Sequence, residues 1–240
     1  MYSAVDKETY QKAGDYNLSK VELISYTGDR IGISHLIAEI NIYENLFSNG
    51  LSGNIVIVDS LNLPFEFPIT GFEKVSFKLS SPGFDSDKGR HYDFTEKSGH
   101  PMYIYKISDR QEGNQKTQVY LLNFCSREVI RNEQVRVSRA FNGGITNMVL
   151  ELMRNKNYID CKKPIFFEED KINTKWVCPN LHPMAAIRSL ANKAQSKLYE
   201  NAGFLFYEDA GGYKFKSIEA CLAESKDIGR AVQARYNYST

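Results

Sequence analysis

Four cysteines, four histidines and one run of three adjacent acids are the residues of this 240-residue chain best suited to bind a metal or to catalyse. A zinc site would be built from Cys161, Cys178 and His182, with Cys125 as a distant fourth ligand. Sixteen residues separate Cys161 from Cys178 and three separate Cys178 from His182, and neither gap matches the close ligand pairs of fingers and ribbons. Cys178 and His182 instead mark the approach to a helix. Glu168, Glu169 and Asp170 offer carboxylates for acid–base work. Neighbours in sequence diverge in space, however, whereas a catalytic pair must converge across a cleft, so the run reads as a solvated charged turn. Asn142–Gly143–Gly144 ahead of a helical stretch resembles a phosphate cradle, but tight-turn geometry accounts for two glycines. The chain has no G-x-S-x-G, no P-loop and no H-E-x-x-H. No catalytic, cofactor-binding or metal-binding residue is assigned, and no cofactor is expected.

Aromatic residues interleave with bases at Tyr103, Tyr105 and Lys106, and again at Tyr213, Lys214, Phe215 and Lys216. Such a surface suits stacking on single-stranded nucleic acid or a tyrosine-rich protein interface. Lys and Arg total 30 against 29 Asp and Glu, a formal charge of +1. A nucleic-acid binder normally carries a basic excess or stripe, so the balance favours the protein interface. The cysteines form no C-x-x-C pair and read as reduced thilos of a reducing compartment. The N-terminus lacks the basic-then-apolar order of a signal peptide, and no run approaches the roughly 18 apolar residues of a membrane span. A soluble product made in a cytoplasm is expected.

The elements that must position these residues are mainly strands. With 42% hydrophobic and 12% aromatic residues, the chain has the material for a β-rich core. Residues 1–18 are polar and read as a loose arm. Val21–Tyr26 is a strand followed by a turn at Thr27–Arg30. The apolar residues then change parity near His35, which suggests a bulge or bend. Tyr43–Phe47 reads as a short helix-like turn. Ile55–Val58 is apolar on both parities, as in a strand covered on both faces. Val75, Phe77 and Leu79 alternate with polar residues. Pro82–Gly99 reads as a long exposed loop, and Met102–Asp109 with Gln118–Ser126 as a hairpin. About six strands over 19–127 imply a closed or sandwiched antiparallel domain. After about Arg131 helical spacing takes over at Ile145–Met153. A second helix opens at Pro183, with a short strand at Pro164–Phe167 between the two. Gly203–Tyr207 and Tyr213–Ile218 flank a hairpin turn.

Two stretches resemble the baseplate hub proteins of T-even-like contractile-tail bacteriophages. One is Ile42–Asp59, IYENLFSNGLSGNIVIVD, with Asn62–Gly71, NLPFEFPITG, and Glu73–Leu79. The other is Pro183–Ala194 with the hairpin GFLFYEDAGGYKFKSIEAC at Gly203–Cys221. The resemblance implies a mainly β, α+β chain: an N-terminal arm (1–18), a tail-tube-type antiparallel β-barrel or sandwich domain (19–130), and a smaller mixed α/β domain (131–221). Residues 222–240 would be a tail or the start of a truncated second tube domain. It implies a structural virion protein rather than an enzyme, joining the tail tube to the central spike as a homotrimer around the DNA channel. Its partners would be the tail tube protein, the central spike protein, baseplate wedge proteins and genomic DNA passing without sequence-specific binding. It would sit in the tail baseplate after assembly in the host bacterial cytoplasm. Ile40, Ile42, Tyr43, Phe47, Ile55, Ile57, Val75 and Phe77 would form the inter-subunit surface. A tail-associated cell-wall hydrolase or a β-rich adhesion module is the alternative. The approximately 22 residues after Ile218 are too few for the second tube barrel that such hubs carry.

Overall fold

The computed structural model describes residues 16–80, 91–112, 117–199 and 201–227. The chain divides into two compact units, Met1–Ile40 with Asn54–Phe124, and Asn41–Gly53 with Cys125–Thr240. Most of the expected arm, residues 82–90 of the expected loop and the tail beyond residue 227 lie outside the described residues.

The first unit is built from β1 (Asn17–Leu18), β2 (Glu22–Ile24), β3 (Arg30–Gly32), β4 (Ile37–Tyr43), β5 (Ser52–Asp59), α1 (Leu63–Glu66), β6 (Lys74–Ser76), β7 (Lys78–Ser80), β8 (His91–Asp93), β9 (Met102–Glu112) and β10 (Gln118–Ser126). The ends of β4, β5 and β10 run into the second unit. Seven strands form one sheet in the order β3-β2-β6-β9-β10-β5-β4, and three form another in the order β1-β7-β8. The described strands therefore leave β3 and β4 as outer strands and do not close into a barrel. One chain run passes between the sheets at Phe77, which separates β6 from β7. Its buried ring meets Phe94 and Phe124 edge-on, with centroids 5.2 and 5.9 Å away, a favoured arrangement for aromatic pairs.

The parity change near His35 is a bend, made by a single 3-10 turn at Ser34–Leu36. A turn of this pitch shifts the facing of the next strand as an extra residue would. Strand β5 buries Ile55, Ile57 and Asp59 but leaves Val58 41% exposed, so it is covered on one face and not both. Residues 91–99 are not open loop. They hold β8 and a second 3-10 turn, with Phe94 buried and Thr95 Oγ1 accepting from Ser98 N at 3.3 Å.

The second unit contains α2 (Arg127–Gln134), β11 (Val137–Gly144), α3 (Ile145–Arg154), β12 (Ile165–Phe167), β13 (Asn173–Leu181), α4 (Pro183–Ala191), β14 (Phe204–Asp209), β15 (Gly212–Ser217) and α5 (Ile218–Asp227). Strands β11 and β13 form an antiparallel ribbon, and β12-β15-β14 a three-stranded sheet in which β12 runs parallel to β15. Ile145, Met148, Val149, Leu152 and Met153 of α3 and Met184, Ile187 and Leu190 of α4 close one core with Phe141, Trp176, Phe206 and Phe215. The glycine at the β14–β15 turn is obligatory. Gly212 has φ +128°, and a Cβ there would stand 2.4 Å from the carbonyl oxygen of Pro164. Gly212→Ala is expected to cost about 3 kcal/mol, combining backbone strain with overpacking, as read by urea denaturation.

Candidate assembly surfaces

The residues with chemical potential are dispersed or engaged in holding the chain together. All four cysteines are unpaired thiols, three of them buried. Burial, helped by the charge of Glu208, pushes the Cys125 thiol up to about 12. Burial, helped by Glu128, does the same at Cys161. At neutral pH neither is the thiolate that nucleophilic or metal chemistry requires. His182 turns Nδ1 to the carbonyls of Asn132 and Val135, at 2.9 and 3.0 Å. Among the described residues no three metal-ligating side chains converge.

The acidic run splits three ways. Glu168 accepts from Ser196 Oγ and, at 2.8 Å, from Ser217 N. Glu169 pairs with Lys197 on the surface. Asp170 accepts from Ile145 N at 3.0 Å and Thr146 N at 2.7 Å. The N-terminus of α3, behind Gly143–Gly144, is thus already occupied by a carboxylate of the same chain, which answers both its unpaired amides and its dipole. Asp170→Ala is expected to cost about 1–2 kcal/mol as a lost helix cap, whereas Glu169→Ala is expected to stay within about 0.5 kcal/mol; thermal denaturation compares the two.

A buried ionic group occupies the centre of the second unit. Lys163 Nζ lies 2.5 Å from Glu208 Oε1, 3.3 Å from Glu128 Oε2 and 3.1 Å from Ser126 Oγ. Glu208 Oε2 accepts from Leu51 N at 2.8 Å and from Ser126 Oγ at 2.6 Å. Each of the three charged residues is at most 6% exposed. The group ties Asn41–Gly53 into the second unit, and two further bonds assist: Ala210 N to Glu44 Oε1 at 3.0 Å, and Arg188 to the Phe47 carbonyl. Gly50 fits there only because it lacks a Cβ, which would stand 2.6 Å from Val129 and 2.9 Å from Glu208.

The expected interface residues fall into two classes. Ile55, Ile57, Val75 and Phe77 have no exposed surface. Their side chains fill the first unit's own core and cannot touch a neighbour. Ile40 and Ile42 are half-buried on the outer strand β4. Tyr43 is 52% exposed at its end, and Phe47 is 73% exposed in a turn, where Asn45 Oδ1 accepts its N–H at 2.8 Å. Of the aromatic–basic stretches, Tyr213 and Phe215 are fully buried. Lys214 and Lys216 instead flank the ring of Phe166, each Nζ 5.9 Å from its centroid.

Sequence reasoning overlooked a third apolar surface. The connection around α1 exposes Leu61, Phe65 and Phe72, and two buried carboxylates hold its ends. Asp59 accepts from Leu61 N, Leu63 N and Tyr120 OH at 2.7–3.0 Å. Glu73 accepts from Thr70 and Gly71 amides and the Thr70 hydroxyl at 2.8–3.0 Å. Burial raises the Glu73 carboxyl, but these bonds outweigh it and hold its pKa below the usual range. A depressed folded value confers stability above the unfolded pKa, about 4.3, that is lost as pH falls through the folded value. Glu73→Gln is therefore expected to flatten the acid limb of a stability–pH curve.

No family model matches the chain. Over 188 residues it is 26% identical to a probable baseplate hub protein, gp334, of Vibrio phage KVP40; the match covers 78% of this chain and 42% of that protein. The chain thus spans less than half the length of the curated relative it matches. Its fold is similar to the 43 kDa tail protein of prophage MuSo2 from Shewanella oneidensis, with a TM-score of 0.52 at 10% identity over 83% of this chain and 53% of that one. It is likewise similar to the tail protein from Neisseria meningitidis MC58, with a TM-score of 0.50 at 12% identity over 83% and 50%.

Proposed function

We propose, for a chain that is baseplate-hub-like in sequence and has the mainly β fold of phage tail proteins, that it is a non-enzymatic hub component joining the tail tube to the central spike. The observation that carries this reading is the agreement of two independent likenesses, one in sequence to a probable baseplate hub protein and one in fold to tail proteins. In it the chain assembles with itself as a homotrimer in the virion tail baseplate, contacts the tube, spike and wedge proteins, and surrounds DNA without reading its sequence. Closed rings of identical subunits need only one repeated pair of complementary surfaces. Of the residues expected there, Ile40, Ile42, Tyr43 and Phe47 keep accessible surface and are the ones assigned to the interface. Their apolar and aromatic character matches the core of an interface. Gold-labelled antibody against the chain tests the assignment on intact particles. Label at the distal end of the tail tube supports it; label on the head or along the sheath, or particles without the chain, overturns it.

A further inference from the structure

The outer edge of strand β14 lies beside an apolar cleft of about 260 Å3 within the second unit. The cleft is lined by Leu46, Phe47, Arg188, Ala191, Phe204 and Phe206, among others. Strand β14 ends its sheet, and the direction of its backbone groups follows from its partner. Tyr213 N, Phe215 O and Ser217 N of β15 are bonded on the β12 side, to Pro164 O, Glu168 N and Glu168 Oε2. In an antiparallel pair their opposites turn away from β15 as well. Those opposites are Glu208, Phe206 and Phe204. The amides and carbonyls of Phe204 and Phe206 therefore point out of the sheet, and no hydrogen bond to them is made among the described residues. Unpaired strand edges are templates for a further strand. Facing this edge, Phe47 is 73% and Leu46 48% exposed, an unusual position for two large apolar side chains on a turn held in place from three sides.

Charge selects among the segments that would fit. Arg188 is exposed and bonds the Phe47 carbonyl, but no carboxylate among the described residues pairs with it. A guanidinium has five donors, and one carbonyl leaves most of them unused. We infer that the edge of β14 at Phe204–Phe206 receives an extended segment of a partner protein by strand addition, with an apolar side chain seated in the cleft and a neighbouring carboxylate on Arg188. Backbone bonds to the edge supply affinity, while the cleft and Arg188 supply selection. Phe47 is shared with the trimer surface proposed above, whereas Arg188, Phe204 and Phe206 are not, so loss of peptide binding by Arg188→Glu and of self-association by Tyr43→Lys report on the two proposals separately.

The test selects random 12-residue peptides displayed on mRNA against the whole chain, then measures the synthetic consensus peptide by fluorescence anisotropy. Enrichment of apolar residues next to Asp or Glu is expected. Arg188→Glu should weaken the consensus peptide at least tenfold, a peptide with Lys in place of its acid should recover affinity for that variant, and Phe47→Ala should also cost at least tenfold. Hydrogen exchange at the Phe204 and Phe206 amides should slow on binding, whereas Tyr43→Lys should leave the affinity unchanged. Failure to enrich any peptide, a basic consensus, affinity indifferent to Arg188→Glu and Phe47→Ala, or unaltered exchange at the two amides overturns the inference.

Discussion

Lys163→Met is expected to destabilise the second unit by about 3–5 kcal/mol, the usual cost of removing one member of a buried ion pair. The substitution keeps most of the side-chain volume and deletes the cation that faces Glu208 and Glu128, which leaves two buried carboxylates without a counter-charge among the described residues. Against the roughly 5–15 kcal/mol of a typical domain this is a large fraction. The chain supplies its own reporter, since its single tryptophan, Trp176, sits in the core of that unit. Urea denaturation followed by tryptophan fluorescence therefore reads the loss directly. Adding Glu128→Leu and Glu208→Gln to Lys163→Met should recover most of it, because no charge is then stranded and an amide oxygen at position 208 still accepts from Leu51 N. The pH dependence has a definite sign. Burial pulls the Lys163 pKa down, but Glu208 and then Glu128 more than compensate and leave it raised. A raised folded value confers stability that is complete below the unfolded pKa of about 10.4 and lost as pH rises through the folded value. The part of the difference between the parent chain and Lys163→Met that comes from the Lys163 charge should thus be lost at strongly alkaline pH.

Ile40→Lys combined with Tyr43→Lys is expected to weaken self-association at least 100-fold, which corresponds to about 2.7 kcal/mol and to the loss of one interface hot spot. Both side chains lie on the outer strand β4 with accessible surface, and lysines on an outer strand oppose pairing with another chain. Ile57→Val is the matched control. Its side chain has no exposed surface, so it should cost about 1 kcal/mol of stability and leave association unchanged. Mass photometry over a concentration series separates the two outcomes. Loss of association by Ile57→Val alone would put the interface elsewhere.

Legibility followed how local the physics was. The β14–β15 hairpin was readable because Gly211–Gly212 sits between two alternating runs, and α3 and α4 because their apolar residues recur at helical spacing. Strands β11 and β13 escaped notice. Among β13's residues Trp176 and Cys178 are the buried ones, and Pro179 follows them directly, so the ribbon shows too short an apolar pattern. Helix α2 was missed for a related reason: its buried residues are Glu128 and Asn132. One faces Lys163 and the other caps the Met184 amide at 2.8 Å, and such polar burial has no periodic signature. Assigning Asn41–Gly53 to the second unit depends on Glu208, 157 residues from Leu51, a pairing with no trace in local sequence. The interface residues were partly misjudged because apolar alternation marks burial without saying whether the chain's own core or a neighbour provides it. For Ile55, Ile57, Val75 and Phe77 the core provides it.

The claim that this chain is a hub joining tube to spike is tested most directly by mixing it with the tail tube protein and the central spike protein of the same particle. Mass photometry and negative-stain imaging then follow the mixture. A complex containing all three, ring-shaped in end view with three copies of the chain, is the predicted result. A chain that stays monomeric at high concentration and binds neither partner would contradict the account.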